Sequence, residues 1–362
     1  MALIRGKRAA GEIIDVLDGV TDGSDTIIGN PGNDIIFAGG GNDVIKGGGG
    51  ADYIDGGAGR DRASYEDSAA GVTVDLVTGK GKGGDAEGDV LTGIEDLWGS
   101  QHADTLTGDG NDNTLCGLGG NDTLKGGGGA DTLNGGLGDD VLDVDGKDDK
   151  VSGGDGVDTL FISGDHGVSV HLQAGYLGQN GIDYGSAWMR QGKLWTNPDA
   201  ADSISGVENV IGSDHGDDIY GSNGANVLLG GGGNDYIHGL AGDDVLHGGS
   251  GEDVLIGGQG ADILSGGTGM DFFHFKSAAE SLVVNGRPQD TILDFQGGLD
   301  QLGILFGHAE ADLLVLNNRS VDGANCSVVG IDANHNGAFD DGEFAVAVRM
   351  AAGTRFDTGW IV

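Results

Sequence analysis

Large apolar side chains recur along this chain at intervals of nine residues, each flanked by one residue on either side and then by a glycine-rich stretch. Ile27, Ile36, Ile45 and Ile54 open the series. Leu106, Leu115, Leu124, Leu133, Leu142, Val151 and Leu160 form a second run, and Ile219, Leu228, Ile237, Leu246, Leu255, Leu264 and Phe273 a third. A period of nine fits neither an amphipathic helix nor a long alternating strand. It predicts a three-residue strand whose central side chain alone points inward. One such repeat cannot bury its single aliphatic group, so the repeats must stack, lining these residues up as a continuous core.

Two residues before each apolar position stands an acid or its amide. In the first block this is Asp25, Asp34, Asp43, Asp52 and Asp61, the last followed by Ala63 instead of a large side chain. In the second it is Asp104, Asn113, Asp122, Asp131, Asp140, Asp149 and Asp158. In the third it is Asp217, Asn226, Asp235, Asp244, Asp253, Asp262 and Asp271. The full pattern is Gly-Gly-x-Gly-x-Asp-x-U-x, with U a large aliphatic. Six residues make the turn, whose glycines permit left-handed backbone and direct carbonyls toward a shared point. Two nonapeptides make one coil of 18 residues, so each acid sits above the one two repeats later. Between them lies an all-oxygen cage of the kind calcium prefers, whereas zinc would require His or Cys.

The expected calcium ligands are the in-register Asp side chains, Asp149 excepted because Lys147 breaks its glycine pattern. Alongside them stand the carbonyls of Gly39, Gly41, Gly48, Gly50, Gly57, Gly59, Gly127, Gly129, Gly136, Gly138, Gly231, Gly233, Gly242, Gly249, Gly251, Gly258, Gly260, Gly267 and Gly269. Thirteen stacked pairings are possible, which gives on the order of ten ions once degenerate turns are discounted. His102, Asn111 and His215 also replace a turn glycine, and Asn replaces Asp at 113 and 226, so weak binding or none is expected there. The alternative, that each Asp merely caps its turn, does not explain the strict spacing.

Composition sharpens this picture. Glycine accounts for 78 of 362 residues against 3 prolines, without the Gly-X-Y period of collagen. The 58 acidic residues outnumber 18 basic ones, a net charge of −40. That field disfavours nucleic acid and anionic membranes and favours a divalent cation. Cys116 and Cys326 form no disulfide framework. No 18-residue apolar stretch predicts a transmembrane helix, and Arg5, Lys7, Arg8, Glu12 and Asp15 interrupt any signal-peptide core near the N-terminus.

Segments such as GGGGADYIDGGAGRD and GGSGEDVLIGGQGADILSGGTGMD resemble the RTX, or haemolysin-type calcium-binding, repeat family. The resemblance implies an all-β fold, a right-handed parallel β-roll with calcium in the turns. On that reading residues 1–18 are an N-terminal cap, and blocks of repeats occupy 19–63, 102–160 and 215–275. Two related β insertions lie at 64–101 and 161–214, where AGVTVDL (70–76) parallels HGVSVHL (166–172) and GIEDLWGSQHAD (93–104) parallels GVENVIGSDHGD (206–217). Alternating Val and Leu suggest longer strands there. Residues 276–362 read as a capping domain of antiparallel strands, similar to the ends of serralysins and alginate epimerases.

Three local features stand outside the repeat. Tyr176, Tyr184, Trp188, Met189, Arg190 and Trp195 cluster in the second insertion, as a sugar-binding platform or, preferably, a local mini-core. DANHNGAFDDGE (332–343) fits an EF-hand-type loop, with Asp332, Asn334, Asn336, Ala338, Asp340 and Glu343 as ligands and Gly337 at the sharp turn. A polar hairpin is the alternative. The ending RFDTGWIV is similar to the C-terminal export signal of type I secretion substrates, which implies a secreted, extracellular protein using that apparatus.

Catalytic signatures are absent. No HExxH or GxSxG occurs, and Ser213, Asp214 and His215 are sequence neighbours in a turn and not a triad. No two carboxylates stand out as spared from metal duty to serve a glycosidase. Two readings follow: a non-enzymatic calcium-binding protein acting on a polysaccharide or host surface, as an adhesion or matrix factor, or the RTX portion of a polysaccharide-modifying or hydrolytic enzyme.

Overall fold

The computed structural model describes residues 3–5, 13–14, 20–145, 150–164, 167, 169–172, 203–281, 283–284, 287–304, 313–321, 324–331, 337–339, 344–350 and 356–361. Among these there is no α-helix; the elements are short strands and three single-turn 3₁₀ segments. The fold is an all-β parallel β-roll. It divides into two compact units, Met1–Ser163 with Leu194–Val207, and Gly164–Lys193 with Glu208–Val362.

In the first unit, one sheet stacks Leu3–Arg5, Thr26–Ile28, Val44–Lys46, Arg62–Ser64, Asp96–Trp98, Thr114–Gly119, Thr132–Leu137, Lys150–Asp155 and Ser203–Ser205, in that order. Successive repeat strands are parallel and pair with an offset of 18, as in Leu115 with Leu133 and Leu133 with Val151. The opposite sheet is interrupted once. Between Tyr53–Asp55 and Thr105–Thr107 the first insertion supplies Val90–Thr92, Lys80–Lys82 and Thr73–Asp75, with Lys80–Lys82 antiparallel to both of its neighbours. The insertion thus continues the stack, but with three-residue strands and not the longer ones its alternation suggested. Its parallel passes each still bury one central side chain, Val74, Leu91 and Leu97.

The second unit repeats the scheme. Ser169–His171, Asp218–Tyr220, Tyr236–Ala241, Val254–Gln259, Phe272–Phe275 and Gln301–Ile304 form one sheet. Asn209–Ile211, Val227–Gly232, Val245–Ser250 and Ile263–Thr268 form the other, continued by Asp290–Ile292 and Ala345–Val348. Only then does an antiparallel meander begin, through Ala324–Ile331 and Leu313–Val321. This corrects the expectation for residues 290–304. Asp290–Ile292 and Gln301–Ile304 are parallel continuations of the roll, because they keep an acid two residues before a buried aliphatic, Asp290 with Ile292 and Asp300 with Leu302.

Each U position is buried completely or nearly so, giving one apolar side chain per pass. Within the blocks many strands run six residues and not three, as in Thr132–Leu137 and Val245–Ser250. In-register stacking lets the start of each turn pair with the coil beside it, Gly249 with Gly231 and Gly267 for example. The last coil is closed by rings: Phe295 lies 5.9 Å from Phe273, 5.3 Å from Phe356 and 6.0 Å from Trp360.

Candidate metal centres

The in-register acids form hydrogen-bonded columns. Where a block holds a described acid 18 residues later, the backbone N–H of the earlier residue donates to its Oδ1, from Asp25 to Asp43 at 2.7 Å, Asp122 to Asp140 at 2.8 Å and Asp244 to Asp262 at 2.9 Å. Every described member is almost fully buried. The coil register expected from the sequence is therefore present, with Asp253 between Asp235 and Asp271, and Asp244 between Asn226 and Asp262.

The second oxygen distinguishes two kinds of turn. In what we call open turns, at Asp43, Asp52, Asp61, Asp122, Asp140, Asp244, Asp262 and Asp271, Oδ2 is buried with no hydrogen-bond partner. Leaving a charged oxygen so costs several kcal/mol (about 3–5 for an unpaired buried charge) unless a cation meets it. In closed turns the oxygen is satisfied locally. The N–H four residues earlier donates to it, from Thr21 to Asp25 and Asn30 to Asp34 at 2.8 Å, and from Ser213 to Asp217 at 2.7 Å. Ser100 closes Asp104 in the same way, and Asp109 and Ser222 close Asn113 and Asn226.

The surroundings of the open oxygen fit a hard cation. A Cβ added to Gly117, Gly135, Gly230, Gly239 or Gly248, each the first glycine of its turn, would overlap both the Oδ2 of its own turn and the first-glycine carbonyl of the next coil. Glycine leaves that space to oxygen atoms. These first glycines were not singled out by sequence, although their recurrence five residues before most acids, with Val20, Ala38 and Val144 as exceptions, was the available signal. Among the described residues no three His, Cys, Asp or Glu side chains converge, so a site must draw on carbonyls, which suits calcium and not zinc.

Electrostatics agree. Burial, with the Asp104 and Asp140 carboxylates nearby, pushes Asp122 up to about 7. Burial and then Asp262 and Asp243 push Asp244 to about 7, while burial and then Asp34 and Asp85 push Asp52 to about 6. Without a cation these columns resist ionisation, and a bound cation reverses that preference.

The columns extend past the recognisable repeat. Asp89 accepts from Asp52 N–H and Glu95 from Asp61 N–H, and beyond the third block Asp290 and Asp300 accept from Asp262 and Asp271. Sequence reading missed these four, although each precedes a buried aliphatic by two residues. Asn113 and Asn226 also find their reason here. Their side-chain amides donate to the carbonyls of Glu95 and Glu208, at 2.7 and 2.6 Å, where an Asp would set oxygen against oxygen.

The model of the RTX calcium-binding nonapeptide repeat matches at residues 20–50, 28–63, 89–124, 107–142, 125–160, 138–166, 211–246 and 238–273, just over half of the chain. The chain belongs to the RTX calcium-binding repeat family. It therefore carries calcium-binding RTX repeats. No curated protein sequence matches it. Among solved structures it is similar to the AlgE6R3 subunit from the Azotobacter vinelandii mannuronan C5-epimerase, at 29% identity, over 42% of this chain and 80% of that one, with a TM-score of 0.26.

The remaining expectations fall unevenly. Lys147 and Asp149, the aromatic cluster from Tyr176 to Trp195, and Asp332, Asn334, Asn336, Asp340 and Glu343 lie outside the described residues. Gly337 has φ 80, and Ala338 is exposed. Cys116 is buried and free.

Proposed function

We propose that this chain is a secreted, non-enzymatic protein that folds on meeting extracellular calcium and then presents its surface as an adhesion, matrix or host-interaction factor. The observation that carries the reading is the set of stacked, buried Oδ2 atoms in the open turns, which lack any protein partner. The carboxylates of these turns, with the first-glycine carbonyls beside them, would hold the ions; the ions supply the positive charge that the chain lacks. Binding energy is then folding energy. In a low-calcium cytosol the acidic chain stays expanded, a form suited to passage through an export channel.

The terminal segment supports the same order of events. In the folded chain Phe356 is buried, and Trp360 packs on it with ring centroids 5.4 Å apart. An export apparatus reading the Phe356 and Trp360 side chains would do so before these rings pack together. Circular dichroism of the full chain during calcium titration tests the folding step: a β spectrum unchanged by excess chelator at pH 7.5 would overturn it. Deleting residues 351–362 should retain the protein inside the producing cell, and undiminished secretion of that variant would count against export through this tail. Glycan-array binding with calcium, lost in chelator, is the expected sign of a polysaccharide partner.

A further inference from the structure

The closed turns are not scattered. They are the first two turns of every block: Asp25 and Asp34, Asp104 and Asn113, Asp217 and Asn226. From the third turn onward, every described in-register acid follows a residue of positive φ four places earlier. That residue is a glycine in most turns, such as Gly39 (φ 89) or Gly136 (φ 118), and a leucine in two, Leu118 (φ 78) and Leu240 (φ 80). In the closed turns the same place holds Thr21, Asn30, Ser100, Asp109, Ser213 or Ser222, all short side chains bearing an acceptor oxygen.

The hydrogen bonds explain the split. In five of these turns the short side chain accepts from the N–H two residues on: Thr21 Oγ1 from Gly23, Ser213 Oγ from His215 and Ser222 Oγ from Gly224 at 3.1 Å, Ser100 Oγ from His102 at 3.0 Å, and Asp109 Oδ1 from Asn111 at 2.8 Å. This local turn holds the backbone on the negative-φ side. Its own N–H then points at the acid and occupies the oxygen that a cation would take. A positive φ turns the N–H away, and at Asp43, Asp52, Asp61, Asp122, Asp140, Asp244, Asp262 and Asp271 that oxygen is left without a hydrogen-bond partner. The amides of Asn113 and Asn226 add a second substitute, an N–H₂ donor to the neighbouring carbonyl.

We propose that the residue four places before each acid selects whether the turn binds calcium, and that every block therefore begins with two metal-free turns held by protein hydrogen bonds alone. Calcium sites start at Asp43, Asp122 and Asp235. Metal-free starts give each block a preformed template against which the first calcium turn is laid down, so binding propagates from three places. This rests on the calcium reading above and adds which turns take the ion.

The test counts ions on the full calcium-saturated chain by native mass spectrometry. Asp217→Asn alters a closed turn, whose carboxylate accepts from Ser213, and Asp244→Asn an open one in the same unit, but only Asp244→Asn and Leu240→Ser should lower the count, by at least one ion. Leu240→Ser installs the oxygen found in closed turns at a place whose backbone already carries a side chain. Loss of an ion in Asp217→Asn, or an unchanged count in a folded Asp244→Asn or Leu240→Ser, would overturn the proposal. Calcium anomalous scattering from crystals of the unaltered chain gives a reading independent of variant folding. Ions beside Asp43, Asp122 and Asp235 with none beside Asp25, Asp104 or Asp217 support the proposal, and an ion in any of those last three turns overturns it. A wild-type chain that binds no calcium would instead sink the functional reading itself.

Discussion

Two neighbouring glycines in one turn should respond oppositely to the same substitution. Gly128 and Gly129 lie between Asp122 and Asp131. A Cβ on Gly128 meets nothing nearer than 3.7 Å, and its φ lies outside the left-handed region. Gly128→Ala should be neutral or stabilise by about 0.4–1 kcal/mol through the unfolded chain. Gly129 has φ 113, and its Cβ would sit 2.6 Å from the carbonyl carbon of Asn111 and 2.7 Å from its oxygen. Relief needs a shift of roughly 0.8 Å, since ordinary contacts begin near 3.4 Å. Neighbouring hydrogen bonds oppose that shift: Gly128 N–H to Asp109 O at 2.8 Å, Ala130 N–H to Asp112 Oδ1 at 2.9 Å and Thr132 N–H to Asn113 O at 2.8 Å. Backbone strain of about 1–3 kcal/mol and overpacking of about 1–3 kcal/mol together give a loss of roughly 2–6 kcal/mol, about 30-fold or more in the folding equilibrium. Urea unfolding of the full chain in saturating calcium, followed by far-UV circular dichroism, measures both variants. Equal midpoints would show that the turn geometry described here is wrong.

Other tests probe charge, core and columns. In chelator, Asp52, Asp122, Asp244 and Asp271 titrate near 6–7 in the folded chain against 3.8 for a free side chain. The folded state then binds more protons between about pH 4 and 7, so stability from these groups is full below pH 4 and is lost as pH rises through 7. His238, lowered to about 4 by burial with Lys276 nearby, acts oppositely, losing stability as pH falls below 6.5. Because the carboxylates far outnumber such histidines, acidifying a chelated sample from pH 7.5 to 5 should raise the β signal, and a flat profile would refute the electrostatic account. Leu255→Ala empties a fully buried core position and should cost about 2–5 kcal/mol in the same urea assay; a change within 0.5 kcal/mol, of the order typical of surface sites, contradicts the stacked core. Asn226→Asp sets a carboxylate against Glu208 O and should destabilise by about 1–3 kcal/mol, whereas an unchanged midpoint would reverse the assigned amide orientation.

The chain by itself determined the repeat, the stacked core and the 18-residue column register. These depend on local geometry: a three-residue x-U-x strand turns one side chain inward, and a Gly-rich six-residue turn returns the chain to the same height each half coil. Asp253 beside Asp235 and Asp271 follows from counting. Tertiary structure decided what counting could not. The strands lengthened to six residues because neighbouring coils supplied partners for the start of each turn. Asp89, Glu95, Asp290 and Asp300 joined the columns without a glycine signature because the insertion and capping segments laid a D-x-U or E-x-U stretch onto the exposed end of a stack. The division into open and closed turns also waited for the fold. A serine or a glycine four residues before an acid is only a small residue in sequence; the three-dimensional path of its N–H determines whether the carboxylate is answered by the protein or left for a cation.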